Sequence, residues 1–474
     1  MTTTPRLTRD TAAPAPGILH LGPGAFFRAF IAPYVDEAMM AAGGDWGITA
    51  VSLQSPRARD SLAPQDGAYM AVERGPEGDV ARQIGSIRTV LVAPEDPQAV
   101  IAAMAAPETR IVTLTVTEKG YCHNPRSGRL QADHPDILHD LVHPQAPRSA
   151  IGFLVAGLER RFASGLPPFT VLSCDNLPAN GRVVRQVVLD YAARRAPALA
   201  DRIADQVAFP ACMVDRITPA TTPDDIAALA ASEGVSDPAM VVHEPFRQWV
   251  IEDQFPQGRP AWEAAGAQMV TDVEPHELMK LRCLNGTHST LAYLGYLAGH
   301  ETISEAVADA PFAALCERLW HREILPTIPV PQGENLPAYC AALLTRYRNP
   351  AIRHRTWQIA MDGSQKLPQR ILGTVRDNLA AGRLPAGLCL AIAGWMRYAG
   401  GIDEAGTAID VRDPLADELR AAAAAADPVA AFLAMDSVFG ADLASHGDLV
   451  AAIRSAHDAL ASHGAAAAVR AFAS

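Results

Sequence analysis

The stretch Gly17-Ile-Leu-His-Leu-Gly-Pro-Gly-Ala-Phe-Phe-Arg28 decides the fold of the first half of the chain. Residues 17–21 are apolar enough for a short strand, Gly22-Pro-Gly24 predicts a tight turn, and residues 25–40 have apolar side chains at helical spacing. Strand, glycine turn and helix in this order are typical of a dinucleotide-binding unit, in which the helix N-terminus stabilises a pyrophosphate. An ordinary strand–helix connection contains similar glycines, so the turn needs support from other motifs.

The two glycines of the turn have separate expected roles. Gly22 permits the tight turn, and Gly24 lets the main chain approach the pyrophosphate. Phe27 occupies the third glycine position of the GxGxxG pattern. We expect cofactor contacts from this segment at Gly22, Gly24, Ala25, Phe26, Phe27 and Arg28.

The end of the second predicted strand, residues 46–53, bears on the choice of cofactor. A carboxylate at this point would bind the ribose hydroxyls of NAD, but the chain continues Gln54-Ser-Pro-Arg57 and then Arg59. Gln54 is able to hydrogen-bond a ribose, and an arginine is able to receive the 2′-phosphate of NADP. We expect NAD, and the sequence leaves NADP open.

Strands and helices alternate in the first part of the chain and helices alone follow. Apolar, β-branched runs predict further strands at 86–92, 110–117 and 169–174, with helices at 97–105, 149–164 and 181–195 between or after them. This alternation predicts a mostly parallel sheet covered on both faces. We therefore predict a Rossmann-like dinucleotide-binding domain over 1–272 and a mostly α-helical substrate and catalytic domain over 273–474, with helices that include 274–298, 351–361 and 367–381.

Composition excludes several classes of partner. The 474 residues have a formal net charge of −12 and no long basic run, which argues against nucleic acid and anionic membranes. No apolar run reaches the ~18 residues of a membrane span, and residues 1–17 lack the apolar core of a signal peptide. The seven scattered cysteines indicate reduced thiols. We expect a cytoplasmic monomer or weak homo-oligomer that acts on a small molecule.

The second decisive stretch is Lys280-Leu-Arg-Cys-Leu-Asn-Gly-Thr-His-Ser289. On an α-helix with ~100° per residue, Lys280, His288 and Asn285 project at about 0°, 80° and 140°, so they share one side. An amine, an imidazole and an amide donor together suit proton transfer with stabilisation of a developing oxyanion. Such a site fits reversible alcohol/ketone chemistry.

Metal-dependent and hydrolytic alternatives have less support. His134, His139 and His143 lie close in sequence, but the prolines and acids around them predict a surface loop, and no cysteine cluster accompanies them. A serine hydrolase would need a GxSxG turn, which the chain lacks. We expect no metal.

Six motifs together are more specific than the glycine turn: Gly22–Arg28, Thr115–Tyr121, Ser173–Leu177 with Asn180-Gly181, Met213–Pro219, Glu244–Asp253 and Lys280–Ser289. Through them the chain resembles, over nearly its whole length, the mannitol dehydrogenase family of polyol and hexuronate oxidoreductases. His354–Arg370 and Gly394–Tyr398 are similar to the hexuronate branch. The resemblance implies metal-free hydride transfer that interconverts D-fructuronate and D-mannonate. The alternative is a polyol dehydrogenase acting on mannitol or arabinitol.

The resemblance also implies residue roles. Lys280 is the expected general acid/base, Asn285 and Asn176 hold the substrate oxygen, and His288 contacts a substrate hydroxyl. Glu118 is expected on a proton path between Lys280 and solvent, and Thr117 beside the cofactor. Asn180 is expected to cap the following helix.

A hexuronate has a carboxylate that a polyol lacks, so a cation should bind it. Lys119, next to Glu118, is the first candidate, although an exposed lysine with no ligand is an equally ordinary finding at such a position. Further candidates for substrate binding in the helical domain are Arg355, Lys366 and Arg370.

Overall fold

The computed structural model describes residues 4–124 and 127–473. Its internal contacts divide the chain into two compact units, Met1–Val273 and Glu274–Ser474. The first is an α/β unit and the second is almost entirely helical.

The first unit is built around parallel strands. Its strands are β1 Pro16–Leu21, β2 Gly47–Ser52, β3 Tyr69–Gly75, β4 Gly78–Ile84, β5 Ile87–Val92, β6 Ile111–Leu114, β7 Thr170–Ser173, β8 Cys212–Asp215, β9 Val241–His243, β10 Gln248–Glu252 and β11 Gln268–Val270. Its α-helices are α1 Ala25–Ala29, α2 Ile31–Ala42, α3 Arg57–Leu62, α4 Pro97–Ala105, α5 Pro135–Val142, α6 Ala150–Ala163, α7 Asn180–Arg195, α8 Pro197–Gln206 and α9 Pro223–Glu233. Short 3₁₀ helices include Ala63–Gln65, Glu118–Tyr121 and Trp262–Ala265.

The main sheet has the order β5-β2-β1-β6-β7, and all its neighbours pair in parallel. Alternate residues of β1 enter two different cores: Leu19 and Leu21 pack in one, and Ile18 packs in the other. Burial of both faces confirms the predicted Rossmann-like fold. Because β1 has crossovers on either side, its carboxyl end lies at the switch point where doubly wound sheets bind ligands.

Two small sheets complete the first unit and were not predicted. One has the order β11-β10-β8 and the other β4-β3-β9. Both sheets pair strands that are far apart in sequence, such as β3 with β9, and two of the strands, β9 and β11, are only three residues long. Strands this short give too little periodicity to identify from sequence.

Two predicted elements in this unit are wrong in detail. The helix expected over 25–40 is interrupted at Phe30, where φ is −130° and ψ is −72°. The interruption is stabilised from outside, because the Arg216 guanidinium donates to the carbonyl of Ala29 over 2.8 Å. The loop expected around the three histidines is instead the helix α5, which has Pro135 at its first turn. Proline is well tolerated there because its missing N–H would have no helical partner.

The second unit confirms the predicted helical architecture. Its α-helices are α10 Glu274–Met279, α11 Thr287–Leu297, α12 Ile303–Ala308, α13 Ala310–Leu319, α14 Leu336–Tyr347, α15 Thr356–Ala360, α16 Gly363–Leu367, α17 Gly373–Ala380, α18 Ala386–Ala399, α19 Ala416–Ala423, α20 Pro428–Leu433, α21 Gly440–Leu443, α22 Gly447–His463 and α23 Ala465–Ala473. The apolar α18 is buried in the middle of the unit and packs on α11 and α22.

Three turns of this unit are π-helical: Lys280–Gly286, Trp320–Ile324 and Pro368–Leu372. The first contacts both of the others. π-Helical segments are rare in proteins, and many of those that occur lie at functional sites. Over the described part of the chain, no helix is both long and apolar enough to span a membrane.

Candidate functional site

The glycine turn after β1 has the conformation that the sequence predicted. Gly22 has a φ of +94°, and a Cβ there would collide with the carbonyl group of Thr115. The Gly22 N–H donates to Val51 over 3.0 Å, and the Gly24 N–H donates to Gly22 over 2.7 Å. A Cβ added to Gly24 would meet no atom closer than 3.9 Å, so the main chain is open on that side to an approaching ligand.

The underside of this turn is filled by aromatic rings. His20 is fully buried and stacks on Phe27 with ring centroids 3.7 Å apart. Its Nε2 lies 2.9 Å from Thr115 Oγ1 and its Nδ1 lies 2.8 Å from Thr113 Oγ1. Burial lowers the pKa of His20 to about 3, so the ring is neutral at physiological pH. Phe27 thus supports the turn from below, where other dinucleotide folds pack a glycine.

The other residues of the turn segment are placed as follows. The Arg28 guanidinium folds back and donates to the carbonyl of Pro23 over 2.6 Å, which stabilises the turn. Ala25 and Phe26 are half-buried at the start of α1, and Phe26 stacks on Phe30.

A cavity of about 880 Å³ opens at the carboxyl ends of the strands of the first unit. Its lining includes Gln54 after β2, Ala93 after β5 and Thr117 and Lys119 after β6. This volume is within the range of nucleotide and cofactor pockets. Arg59, the candidate for an NADP phosphate, is engaged by Asp60 at 2.8 Å and by Glu95.

Asp175 fixes the two loops that contain the predicted residues of the first unit. Its carboxylate accepts hydrogen bonds from the Val116 N–H at 2.9 Å, the Thr117 N–H at 3.0 Å and the Tyr121 hydroxyl at 2.6 Å. Thr117 has a φ of +64°, which is strained for a β-branched residue. The carboxylate therefore maintains a conformation that this segment would not adopt alone.

We expect Asp175→Ala to destabilise the protein by about 2–3 kcal/mol, because two N–H groups and a phenol lose their acceptor. Thermal unfolding of the purified variant should show a melting temperature roughly 5–10 °C lower. Tyr121→Phe is the control, since it removes only one of the three hydrogen bonds to Asp175, together with the contact between the Tyr121 hydroxyl and Ser173 Oγ, and should cost less. Equal melting temperatures for Asp175→Ala and the unmodified protein would contradict this role.

Glu118, Lys119 and Asn176 are exposed on these loops. Asn180 is buried and structural, but it does not cap α7, whose N-cap is Ala179. Its side-chain oxygen accepts the Gly181 N–H of the first turn over 2.8 Å and the Cys212 N–H over 3.1 Å, and its amide nitrogen donates to the carbonyl of Cys212 over 2.7 Å. Asn180 therefore joins the start of α7 to β8.

In the second unit, the predicted catalytic segment is the π-helical turn Lys280–Gly286, followed by α11. Lys280 and Asn285 are each 8% exposed, and His288 is 7% exposed. In a π-helix the hydrogen bond joins residues five apart, so Lys280 and Asn285 lie on the same side of one turn. The angle of about 140° between these two side chains, which we predicted by assuming an α-helix, is therefore wrong.

Side chains from outside the segment satisfy carbonyl groups of this π-turn. The Trp320 indole N–H donates to the carbonyl of Cys283 over 2.9 Å. The Tyr347 hydroxyl donates to the carbonyl of Leu284 over 2.9 Å, and its ring stacks on His288 with centroids 5.2 Å apart. Tyr347 therefore both stabilises the turn and orients the histidine.

Neutral histidines and cations surround the segment. His354 packs edge-on against His288, with ring centroids 4.6 Å apart. Burial, with Arg346, Lys366 and Arg370 nearby, lowers the pKa of His288 well below its usual value and that of His354 to about 4. Both rings are therefore uncharged at neutral pH.

The three predicted cations of this unit differ in their surroundings. Arg370 donates to Ser289 Oγ over 3.1 Å, and Lys366 donates to the carbonyl of Ile359 over 3.2 Å. Arg355 is exposed and lies 3.5 Å from Glu301. Sequence reasoning missed Arg346, Tyr347, His354 and Asp175, because no local pattern connects them to Lys280 or to Thr117.

Among residues 4–124 and 127–473, no cluster of three or more His, Cys, Asp or Glu side chains is suited to a metal ion. His139 instead lies 3.0 Å from Asp140, and its ring is tilted against that of His143 with centroids 4.9 Å apart. All seven cysteines are buried as free thiols.

Both units are similar to known proteins. Residues 16–264 match the mannitol dehydrogenase Rossmann domain, and residues 272–461 match the mannitol dehydrogenase C-terminal domain. The chain is 47% identical over 455 residues to D-mannonate oxidoreductase of Escherichia coli K12, with 94% of each chain covered. It is 43% identical over 457 residues to mannitol 2-dehydrogenase of Aspergillus terreus, covering 94% of this chain and 91% of that one.

A solved structure extends this similarity to three dimensions. Mannitol 2-dehydrogenase of Pseudomonas fluorescens, in a ternary complex with NAD and D-mannitol, has a TM-score of 0.87 and 38% identity. The match covers 99% of this chain and 97% of that one.

Proposed function

Because the chain belongs to the mannitol dehydrogenase family, and is thus an oxidoreductase, we propose that it interconverts D-fructuronate and D-mannonate with NAD as the cofactor. The observation that supports a sugar acid over a polyol is the group of cations around His288, namely Arg346, Lys366 and Arg370. Positive charge near the proposed site favours an anionic substrate over a neutral one. The runner-up function is oxidation of mannitol or arabinitol, since mannitol 2-dehydrogenases are nearly as similar in sequence.

The residues of the first unit fit NAD. The turn at Gly22 and Gly24 is open to a pyrophosphate, and Gln54 and Thr117 line a cavity of sufficient volume for the rest of the dinucleotide. Arg59 is neutralised by Asp60 and Glu95, which argues against a 2′-phosphate and for NAD over NADP. When bound, the nicotinamide supplies hydride transfer to or from C5 of the sugar acid.

We assign the proton transfers to Lys280. In oxidation, its neutral amine accepts the proton of the C5 hydroxyl as the hydride leaves carbon; in reduction, its ammonium returns a proton to the forming alkoxide. The amide of Asn285 donates a hydrogen bond to the same oxygen, which is worth ~3 kcal/mol as negative charge develops. Asn176 and Glu118 remain part of the proposal, as a second amide donor and as a proton path to solvent.

Neutral His288 orients the substrate through a hydroxyl. Its pKa lies well below its usual value, so it is not a cation competing with the ammonium of Lys280. Stacking on Tyr347 fixes the plane of the ring. This arrangement leaves Lys280 as the acid/base group and His288 as a hydrogen-bonding group.

The function is tested with a panel of substrates and both cofactors. Purified protein should oxidise NADH in the presence of fructuronate, with kcat/KM at least about 100-fold above that for fructose, equivalent to ~2.7 kcal/mol of discrimination. In the reverse direction it should prefer mannonate to mannitol and arabinitol. A chelator should not change either rate. Faster turnover of mannitol than of mannonate would instead support the polyol alternative.

Lys119 is expected to attract the anionic substrate from its exposed position. We expect Lys119→Gly to lower kcat/KM for fructuronate about 3–10-fold without affecting fructose, since a surface charge mainly alters capture of an oppositely charged ligand. The difference should shrink in high salt, which screens exposed charges. Lys119→Arg keeps the charge and is the control. An unchanged preference for fructuronate in Lys119→Gly would remove this residue from substrate selection.

A further inference from the structure

Thr287 directly follows the π-turn Lys280–Gly286 and is fully buried. Its hydroxyl lies 2.6 Å from the carbonyl oxygen of Cys283 and 3.3 Å from that of Leu284, which both belong to the turn. Threonine side chains that bond back to a preceding carbonyl compete with the main-chain hydrogen bonds of a helix and bend it. The Thr287 hydroxyl is therefore placed to control the hydrogen bonding of this turn.

The Tyr347 hydroxyl joins the same group of hydrogen bonds. It lies 2.9 Å from Thr287 Oγ1 and 2.9 Å from the carbonyl oxygen of Leu284. Because each hydroxyl has one hydrogen, we assign that of Thr287 to its nearest acceptor, the Cys283 carbonyl. The Tyr347 hydrogen is then shared between Leu284 and Thr287. The Trp320 indole also donates to Cys283, so side chains supply donors to two successive carbonyls of the turn.

These donors favour the π register of the turn. In an α-helix each carbonyl accepts from the N–H four residues later. A carbonyl that already accepts from side chains gains less from that main-chain hydrogen bond, so the wider π-turn is favoured. In the π register Asn285 lies on the side of Lys280, whereas an α-helix would place it about 140° away. The register therefore decides whether the amide and the amine reach one substrate oxygen.

We propose that Thr287 is a positioning residue, whose hydroxyl holds the turn in its π register and so keeps Asn285 on the side of Lys280. The inference rests on the proposed function, because it explains how the acid/base group and the oxyanion donor act on the same oxygen. Thr287 acts through Asn285 and not on the substrate itself.

The first test removes the hydroxyl and keeps nearly the same shape. In Thr287→Val we expect kcat to fall about 10- to 100-fold, up to the loss caused by removing an oxyanion donor. The dissociation constant of NADH should stay within about twofold, since the interaction lost is one made in the transition state. Thr287→Ser keeps the hydroxyl and should turn over within about threefold of the unmodified enzyme.

Thr290→Val is the matched control. Thr290 is also fully buried, and its hydroxyl donates over 2.9 Å to the carbonyl four residues before it, that of Gly286. This carbonyl comes after Asn285, so its hydrogen bond does not set the spacing between Asn285 and Lys280. Both valine variants should lower the melting temperature, but only Thr287→Val should lower kcat in protein that still binds NADH. Equal values of kcat in the two variants would show that Thr287 has a structural role alone.

A double-mutant cycle tests whether Thr287 acts through Asn285. In the Asn285→Ala background, Thr287→Val should lower kcat less than about threefold, because the amide that it positions is already absent. Equal losses in the two backgrounds would overturn the inference. If Thr287→Val does not fold, Tyr347→Phe takes its place in the cycle, since it removes the neighbouring hydroxyl and keeps the ring that stacks on His288.

The cycle is read separately from the choice of substrate. Each variant is assayed with mannonate and with mannitol, and the faster substrate is used for the cycle. If mannitol is faster, the proposed substrate fails, yet coupling between Thr287 and Asn285 still supports the positioning role. Additive losses together with a clear preference for mannonate would overturn the positioning role and leave the proposed function standing.

Discussion

Replacement of Lys280 by alanine is expected to lower kcat about 10³-fold or more in both directions, because a positioned general acid/base contributes 10²–10⁴-fold. Lys280 is 8% exposed and stands on the same π-turn as Asn285, so bulk water cannot readily take the place of its amine. The affinity for NADH should change little, since the residues assigned to the cofactor belong to the other unit. Steady-state rates and NADH fluorescence titration measure the two effects.

Two further variants separate proton transfer from charge and from packing. Lys280→Arg keeps a cation but cannot lose a proton at neutral pH, so it should be as inactive as the alanine variant. Lys280→Met preserves most of the volume and removes the amine. A small external amine should restore part of the rate to Lys280→Ala and none to Lys280→Met. Turnover close to that of the unmodified enzyme in Lys280→Ala would eliminate the assignment.

The second large effect is expected from Gly22→Ala. Its φ of +94° is unfavourable for alanine, and the new methyl group would collide with the carbonyl of Thr115. Strain and overpacking together should destabilise the first unit by about 3 kcal/mol or more. We expect a clearly lower melting temperature, and a KM for NAD that rises as the turn is displaced.

Gly24→Ala is the matched control because it lies two residues away in an ordinary conformation. Its φ is −71°, and the nearest atom to an added Cβ is 3.9 Å away. The fold should keep its melting temperature, while KM for NAD rises roughly tenfold because the methyl group stands where the pyrophosphate approaches. If both alanine variants melted at the same temperature, the separate roles given to the two glycines would be contradicted.

Local signals predicted the parts of the fold that depend on nearby residues. The strand–turn–helix at Gly22 and the helix that begins at Ser149 follow from glycine and capping chemistry. The Ser149 hydroxyl indeed accepts from the Gly152 N–H over 2.9 Å. The first residues of α4 and α6 could therefore be predicted from the sequence, and so could the fold class.

Features that depend on contacts between residues distant in sequence could not be predicted from local patterns. The helix expected over 351–361 begins only at Thr356, because residues before it bridge to Thr302. That error concealed His354, which was expected on a helix. The π-turns were missed for a related reason: Trp320 and Tyr347 satisfy carbonyl groups that a continuous α-helix would satisfy itself. Asp175 stands out in the sequence only as part of a motif, since its partners lie more than fifty residues away.

The π-turn at Lys280–Gly286 has a consequence for how this enzyme tolerates changes in chain length. A π-turn holds one residue more than an α-turn, so a single deletion between Leu281 and Leu284 could restore a regular helix. That repair would leave Asn285 four residues after Lys280, about 40° away from it on an α-helix, so the two side chains would still share one side. A one-residue gap here should therefore preserve the arrangement of these side chains better than the same gap in a regular α-helix, where everything downstream would rotate by about 100°.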